Sequence, residues 1–559
     1  MLENKKHVVL VLALLLISFC TLMLGNGGLS LTHPDEVFYM QTVKEMMQRH
    51  EWLVPYIFDA PQFEKPIMTY WLMIVAVKVF GLTPFASRFI PALFGVIGVL
   101  GTYALAFWIS GKRTAAFLSG VVLATSFIWV ALSRAVLTDM VFSVWVLLSL
   151  VFFYDGYLHP KRKNLGIILS CVLAGIAVLT KGALGFIFPF GIIAMFLLYR
   201  KDIKFLGCWA TLIGFVLFLA IAIPWHIYCY GQFGQGFIDE YWQNVHVRRI
   251  FQAEHQKSNT WYFYLMTIFA GVFPWSLFLV PVGSFARDLW RASKGWQAHL
   301  MFLLLWIVWV FGVVQLAQSK LASYVFPVFP AFAILLGIYF ESVLAKKAEG
   351  NILTVRLYRG FSLAMGVGLF LAAAAGIYFV QKFGPAYDSL TAGYVFIGLL
   401  AVCAASLVFF ILRKDFVKSL VVKACLIVAL LVPLSLSFRA AEPWVSCKQI
   451  CDIFKNIDTS NDIILTSKFY ARGVRYYTDR PIAVIDINDK GFFSPHPIPF
   501  LNTDQKVLDF LNERPITYCI VKKNQWESLK RIIGDKFKII FFEGIGGKYI
   551  LSIEKISNT

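Results

Sequence analysis

The chain has 559 residues, 59% hydrophobic and 15% charged, with a formal charge of +19 at pH 7. Its mean hydropathy of +0.70 excludes a soluble globular protein and requires many membrane-spanning helices. The basic residues lie mostly in short loops between apolar runs, so the charge reports topology and not a nucleic-acid partner.

Lys5 and Lys6 precede an apolar run from Val8 to Leu24. It is long enough to span and no small-residue cleavage site follows, which predicts an uncleaved first helix. Apolar runs then predict spans at 8–25, 88–109, 115–133, 139–155, 164–180, 183–199, 205–225, 261–284, 299–316, 321–340, 360–380, 391–412 and 419–438, about thirteen transmembrane helices. The run Ile67 to Phe80 is short for a span, contains Lys78, and predicts a helix lying in the interface. With that run on the surface, Lys5-Lys6, Lys112-Arg113, Lys161-Arg162-Lys163, Arg200-Lys201, Arg287/Arg291/Lys294, Lys346-Lys347 and Arg413-Lys414 share the cytoplasmic side. Loops 26–87 and 227–260, and everything after Arg439, face the other side, where long loops make chemistry expected.

Within the first loop, Val37, Met40, Val43 and Met47 have helical spacing, with Gln41, Lys44, Glu45 and Gln48 opposite. This predicts a second interfacial helix over Glu36 to His50. After residue 440 short β-rich runs appear at 462–465, 482–485, 518–521, 537–542 and 549–553, with helices expected at 504–512 and 525–533. The reading is a transmembrane unit over 1–440 and a small extracytoplasmic α/β domain over 441–559, with no phosphate-loop or dinucleotide motif. None of the nine cysteines has zinc-ligand spacing. Cys447, Cys451 and Cys519 fit either a disulfide or free thiols.

Several loop residues could carry chemistry, each beside a structural alternative. Thr32-x-x-Asp35 matches a capping box, and Asp35 equally suits a general base at the membrane surface. Glu36 reads as a solvated helix residue. Glu64-Lys65 is either a surface ion pair or a phosphate-binding lysine beside a carboxylate that positions it or takes a metal. Arg134 and Asp139 flank one span end, as caps or site residues. Lys181 and Lys320 sit in short outer turns, where a lysine either snorkels to the interface or binds phosphate. The 227–260 loop holds His246, Arg248, Arg249, His255 and Lys257 among belt aromatics, a cluster suited to an anionic lipid headgroup. Carboxylates and cations at membrane level suit transfer from a lipid phosphate, whose departure needs charge neutralisation more than a general acid. A transporter would instead place polar groups near the midplane in broken, paired helices.

Asp35-Glu36, Phe63-Glu64-Lys65-Pro66 with Tyr70-Trp71, Leu179-Thr180-Lys181-Gly182, Phe273-Pro274-Trp275 and Ser319 to Tyr324 with Pro327 and Pro330 resemble the GT-C glycosyltransferases. The resemblance lies in the branch of protein O-mannosyltransferases and of the lipid A 4-amino-4-deoxy-L-arabinose transferase, and is nearest the latter. It covers residues 1 to about 340 and departs from the family pattern at Ala322. It implies an inverting enzyme of the bacterial inner membrane, with its site and C-terminal domain in the periplasm. The implied partners are membrane lipids, a polyprenyl-phosphate sugar donor, and a lipid A or glycan acceptor, with a protein acceptor as the alternative. The implied catalytic residues are Asp35 and Asp139. The implied substrate-binding residues are Glu64, Lys65, Tyr70, Lys181, Arg249 (with Arg248 as a rival) and Lys320. Glu64 and His246 are the candidates for a divalent metal.

Overall fold

A computed structural model describes residues 2–252, 258–349, 352–384, 389–487 and 496–556. Ten of its helices, from Lys6–Met23 to Phe416–Leu436, are long and apolar enough to cross a membrane, and the chain is a multi-pass membrane protein. Every run expected to span lies on helix, but not all form one straight span. Arg113–Ala124 and Phe127–Ser133 are bent by 62° at their junction, and Phe263–Gly271 and Ser276–Ala292 by 113°. Counting each bent pair as one span gives up to 12. The run at 183–199 becomes Leu184–Arg200, only 17 residues and at the short limit for crossing.

The two breaks meet. The Phe127 N–H donates to the Phe273 carbonyl at 2.8 Å, and Trp275 Nε1 donates to Thr125 Oγ1 at 3.1 Å. Backbone freed from a helix inside a bilayer must find a protein partner, and here each broken helix satisfies the other. Pro274 has no N–H with which to continue its helix.

The first loop corrects two expectations. Asp35–Arg49 is helical as its spacing predicts, but it is not a half-solvated interfacial helix. Gln41 and Glu45, on the face expected to meet water, are 1% and 2% exposed. A hairpin of β1 (Tyr56–Ile57) and β2 (Ala60–Pro61) covers part of that face. Glu45 accepts from the Phe58 and Asp59 N–H groups there, each at 2.9 Å. Helix Ala471–Thr478 packs against the same helix, tied by Lys44–Asp479 at 2.5 Å and Arg475–Asp59 at 2.6 Å.

Glu36 is not solvated either. Glu36 and Arg88 are both buried and bond in a fork, Nε to Oε1 at 2.8 Å and Nη2 to Oε2 at 2.6 Å. Glu36 also accepts from the Thr32 N–H and hydroxyl, both at 2.9 Å, and from the Val136 N–H at 3.1 Å. Arg88 gives its other donors to the carbonyls of Asn26, Leu29 and Ser30. One ion pair thereby joins four stretches of chain: the 26–32 turn, the helix start, the second span and the 134–138 turn. Met68–Phe80 forms the short apolar helix expected and packs on Pro84–Ser110.

The C-terminal part is α/β. Its sheet joins β3 (Ile464–Ser467), β4 (Ile482–Ile485), β5 (Phe500–Leu501), β6 (Ile516–Lys522), β7 (Phe537–Ile545) and β8 (Lys548–Lys555) in the order β5-β4-β3-β6-β8-β7. β8 is antiparallel to both its neighbours, and the other pairings are parallel. Helices Asp504–Asn512 and Lys523–Ile533 fall where expected, whereas Lys448–Ile457 and Ala471–Thr478 were not foreseen. All nine cysteines are free, with Cys447, Cys451 and Cys519 buried.

Replacing Arg88 by alanine strands a buried carboxylate. Arg88→Ala is expected to cost about 3–5 kcal/mol, read as a lowered unfolding temperature of the detergent-solubilised protein. Arg88→Lys, which cannot form the fork, recovers only part of it.

Candidate active site

Asp35 opens the helix Asp35–Arg49. The capping role expected of it belongs to its neighbour, because Thr32 donates to Glu36 and not to Asp35. Asp35 is open to solvent yet set in a recess, facing Arg472, Glu64, Lys65 and Asp139. Burial raises its carboxyl above the usual range, opposed first by Arg472.

Glu64 and Lys65 sit in a tethered turn. The Glu64 N–H donates to Gln62 Oε1 at 3.0 Å, and the Phe63 N–H to Glu240 Oε1 at 2.7 Å. Gln62 Nε2 donates to the Tyr70 hydroxyl at 2.8 Å, and Tyr70 is fully buried. Tyr70 therefore braces the turn from beneath and does not present a face to a substrate. Lys65 has no hydrogen-bond or salt-bridge partner among the described residues. Burial, then Arg249 and Lys181, push it down to about 8, against Glu64 and Asp139.

Asp139 and Lys181 form a buried pair at 2.5 Å, each side chain 9% exposed. The Lys181 ammonium also lies over the rings of Tyr324 (4.9 Å) and Phe142 (5.4 Å). The turn after it is shaped by Gly182, φ 74° and ψ −146°, a conformation in practice open only to glycine. A Cβ at Gly182 would stand 2.5 Å from His246 Nε2. His246 Nδ1 lies 2.7 Å from the Tyr241 carbonyl. A carbonyl only accepts, so Nδ1 carries the proton and Nε2 presents a lone pair. Burial pushes the ring down to about 4, which keeps it neutral at physiological pH. Arg249 Nη1 donates to the Tyr324 hydroxyl at 3.4 Å, and its carbonyl accepts from the Ser319 N–H at 3.1 Å.

The structure thus gathers Asp35, Glu64, Lys65, Asp139, Lys181, His246 and Arg249. Lys320 is buried and donates to Asn259 at 3.0 Å, and its motif neighbours Ser319 and Tyr324 both bond Arg249. Arg134 is not a site residue: it bonds the Thr21 and Leu24 carbonyls at the end of the first helix. His255 and Lys257 lie outside the described residues. Among the described residues no group of three or more His, Cys, Asp or Glu side chains is placed to hold a metal. Glu64 faces Arg472, Lys65 and His496, while His246 is turned by its bond to the Tyr241 carbonyl.

Sequence reasoning missed Arg472 and His496. Arg472 Nη2 is 3.7 Å from Glu64 Oε1 and 3.1 Å from His496 Nε2. No motif marks them, because the C-terminal domain folds back onto a loop more than 400 positions earlier. Four cations (Lys65, Lys181, Arg249, Arg472) stand among three carboxylates (Asp35, Glu64, Asp139). Cations crowded in a partly buried recess favour an anion among them, and a carboxylate open to solvent beside them can take or orient a proton.

Residues 8–237 match the family model described as dolichyl-phosphate-mannose-protein mannosyltransferase. The chain is 27% identical over 342 residues to an undecaprenyl phosphate-alpha-4-amino-4-deoxy-L-arabinose arabinosyl transferase of Photorhabdus laumondii. That match covers 60% of this chain and 60% of the relative's own length. Two crystal structures of ArnT from Cupriavidus metallidurans, apo and bound to undecaprenyl phosphate, superpose with a TM-score of 0.75 each, at 19% and 18% identity. They cover 99% of this chain and 98% and 99% of their own. The chain therefore shares the fold of these two structures over its whole length, including the C-terminal domain.

Gly182→Ala forces both the backbone and the His246 contact. It is expected to cost about 1–3 kcal/mol, measured as a fall in unfolding temperature against wild type.

Proposed function

We propose that this GT-C membrane protein transfers a sugar from a polyprenyl-phosphate donor to an envelope acceptor at the periplasmic face of a bacterial inner membrane. The observation that carries the reading is the convergence of Lys65, Lys181 and Arg249 beside Asp35 in a recess at the ends of the spans. The family model's donor is a lipid phosphate sugar, the arabinosyl transferase relative is named for undecaprenyl phosphate, and one structural neighbour holds that lipid.

In this reading the donor enters sideways from the bilayer. Lys65 takes the phosphate as a point charge, and Arg249 and Lys181 add to the field. Asp139 and the Tyr324 ring hold Lys181 in place. The acceptor oxygen attacks the anomeric carbon from the face opposite the phosphate. The C–O bond to phosphate breaks, its electron pair leaves with the polyprenyl phosphate, and the anomeric centre inverts. With a hydroxyl acceptor, Asp35 takes the proton. With an acceptor phosphate, already ionised, Asp35 orients it. The sugar favoured is 4-amino-4-deoxy-L-arabinose or a related one, and the acceptor lipid A or a related envelope glycolipid. The match of residues 8–237 to the mannosyltransferase model favours one second reading, a protein hydroxyl as acceptor.

Asp35→Asn and Lys65→Ala are each expected to lower transfer in membranes by about a hundredfold or more; full activity in both would sink the proposal. Mass spectrometry of envelope lipids from cells with and without the protein reads the acceptor. Loss of a pentosamine-sized mass from lipid A on deletion is expected, and unchanged lipid A with a lost protein glycan would favour the second reading.

Donor affinity should also depend on pH. Lys65 is protonated below about 8 and loses its charge above it, while a bound phosphate favours the protonated form. Binding therefore takes up protons, and the donor Kd is expected to rise as pH climbs through about 8. Titration calorimetry with polyprenyl phosphate checks this, and Lys65→Arg should flatten the slope.

A further inference from the structure

The C-terminal domain is docked on the segment that carries Asp35. The His33 N–H donates to the Val445 carbonyl at 3.0 Å, and the Tyr477 hydroxyl to the Leu31 carbonyl at 3.3 Å. Lys44 reaches both Asp479 and the Tyr476 carbonyl, and Arg475 holds Asp59. Within the domain, helix Ala471–Thr478 lies close against Cys447 at Gly473, where a Cβ would meet Cys447 Sγ at 2.9 Å and stand 4.0 Å from the His33 Cβ. Arg472, near the start of this helix, points into the catalytic recess. Its guanidinium lies 4.5 Å over the Phe38 ring, one turn along from Asp35. It stands 3.7 Å from Glu64 Oε1, and His496 Nε2 accepts from it at 3.1 Å. Accepting there leaves the His496 proton on Nδ1, so this histidine adds no charge.

The charges around Asp35 come from three parts of the chain. Arg472 comes from the C-terminal domain, Glu64 and Lys65 from the first loop, and Asp139 from a span end; Tyr39 lies on its own helix. Glu64 and Asp139 repel the carboxylate. Lys65, Lys181 and Arg249 form one group of cations, which a donor phosphate would neutralise. Once it does, Arg472 is the cation left to offset the two neighbouring carboxylates.

We propose that Arg472 is a positioning residue of the reaction: it holds the Asp35 and Glu64 carboxylates against each other, which makes the C-terminal domain a working part of the active site. The inference rests on the reading of Asp35 given above. It assigns the domain an electrostatic task that separate folding of the membrane unit would not supply.

The test is the pH profile of kcat for transfer from a polyprenyl-phosphate sugar, using the purified full-length protein and the variants Arg472→Gln, Arg472→Lys, Lys44→Ala and Asp35→Glu. Removing a cation beside a carboxylate raises its pKa. Arg472→Gln is therefore expected to move the acid limb upward by about one pH unit. Loss is then deepest at the acid end, with recovery at alkaline pH, and Arg472→Lys restores the wild-type limb. Lys44→Ala, which removes a docking contact outside the recess, should lower activity evenly and leave the limb in place. An even loss in Arg472→Gln with an unmoved limb, as in Lys44→Ala, would assign Arg472 to docking alone and overturn the inference. If Asp35→Glu leaves the limb where it was, the titrating group is not Asp35, and the reading of Asp35 fails first.

Discussion

The ion pair between Glu36 and Arg88 is the constraint on which the site depends. Both groups are withdrawn from water, a cost recovered only when every remaining donor and acceptor is matched. Here they are matched: the carboxylate takes five hydrogen bonds, from Arg88, Thr32 and Val136. The guanidinium serves three further carbonyls. Asp35 is the residue before Glu36, and Asp139 lies three past Val136. The pair therefore sets Asp35 and Asp139 relative to each other, although it touches neither.

Around that frame the chain crowds like charges that water would keep apart. Burial and neighbouring cations push Lys65 down to about 8, and burial with a carboxylate neighbour pushes Glu240 up to about 7. Such displacements are costly in an empty recess and are relieved by a ligand of opposite sign. The Asp139–Lys181 pair and the neutral His246 show the complementary device, groups held by short bonds so that they do not follow a ligand's charge.

The C-terminal domain closes the same recess. Its contacts fall on the first loop, from Ser30 to Glu64. Helix Asp35–Arg49 is buried on both faces for this reason, between the hairpin of the first loop and helix Ala471–Thr478. A domain with no nucleotide motif of its own thereby contributes a cation to that recess.

By itself the sequence determined the membrane class, the helical runs, the α/β character of the last 120 or so residues and the loop motifs around Asp35, Glu64-Lys65, Asp139, Lys181 and Arg249. These signals are local: hydrophobic length, strand-rich runs, and charges stranded between apolar segments. Only the tertiary structure decided that Glu36 is buried with Arg88, that Tyr70 braces a turn from below, that Lys320 donates to Asn259, and that Arg472 stands beside Glu64. It also decided that two runs break and satisfy each other at Phe127 and Phe273. Nearly all of these rest on a partner far away in sequence (Tyr70 and Gln62, eight apart, are the exception), and the burial of a polar side chain is fixed by the partner that meets it, which no local pattern contains.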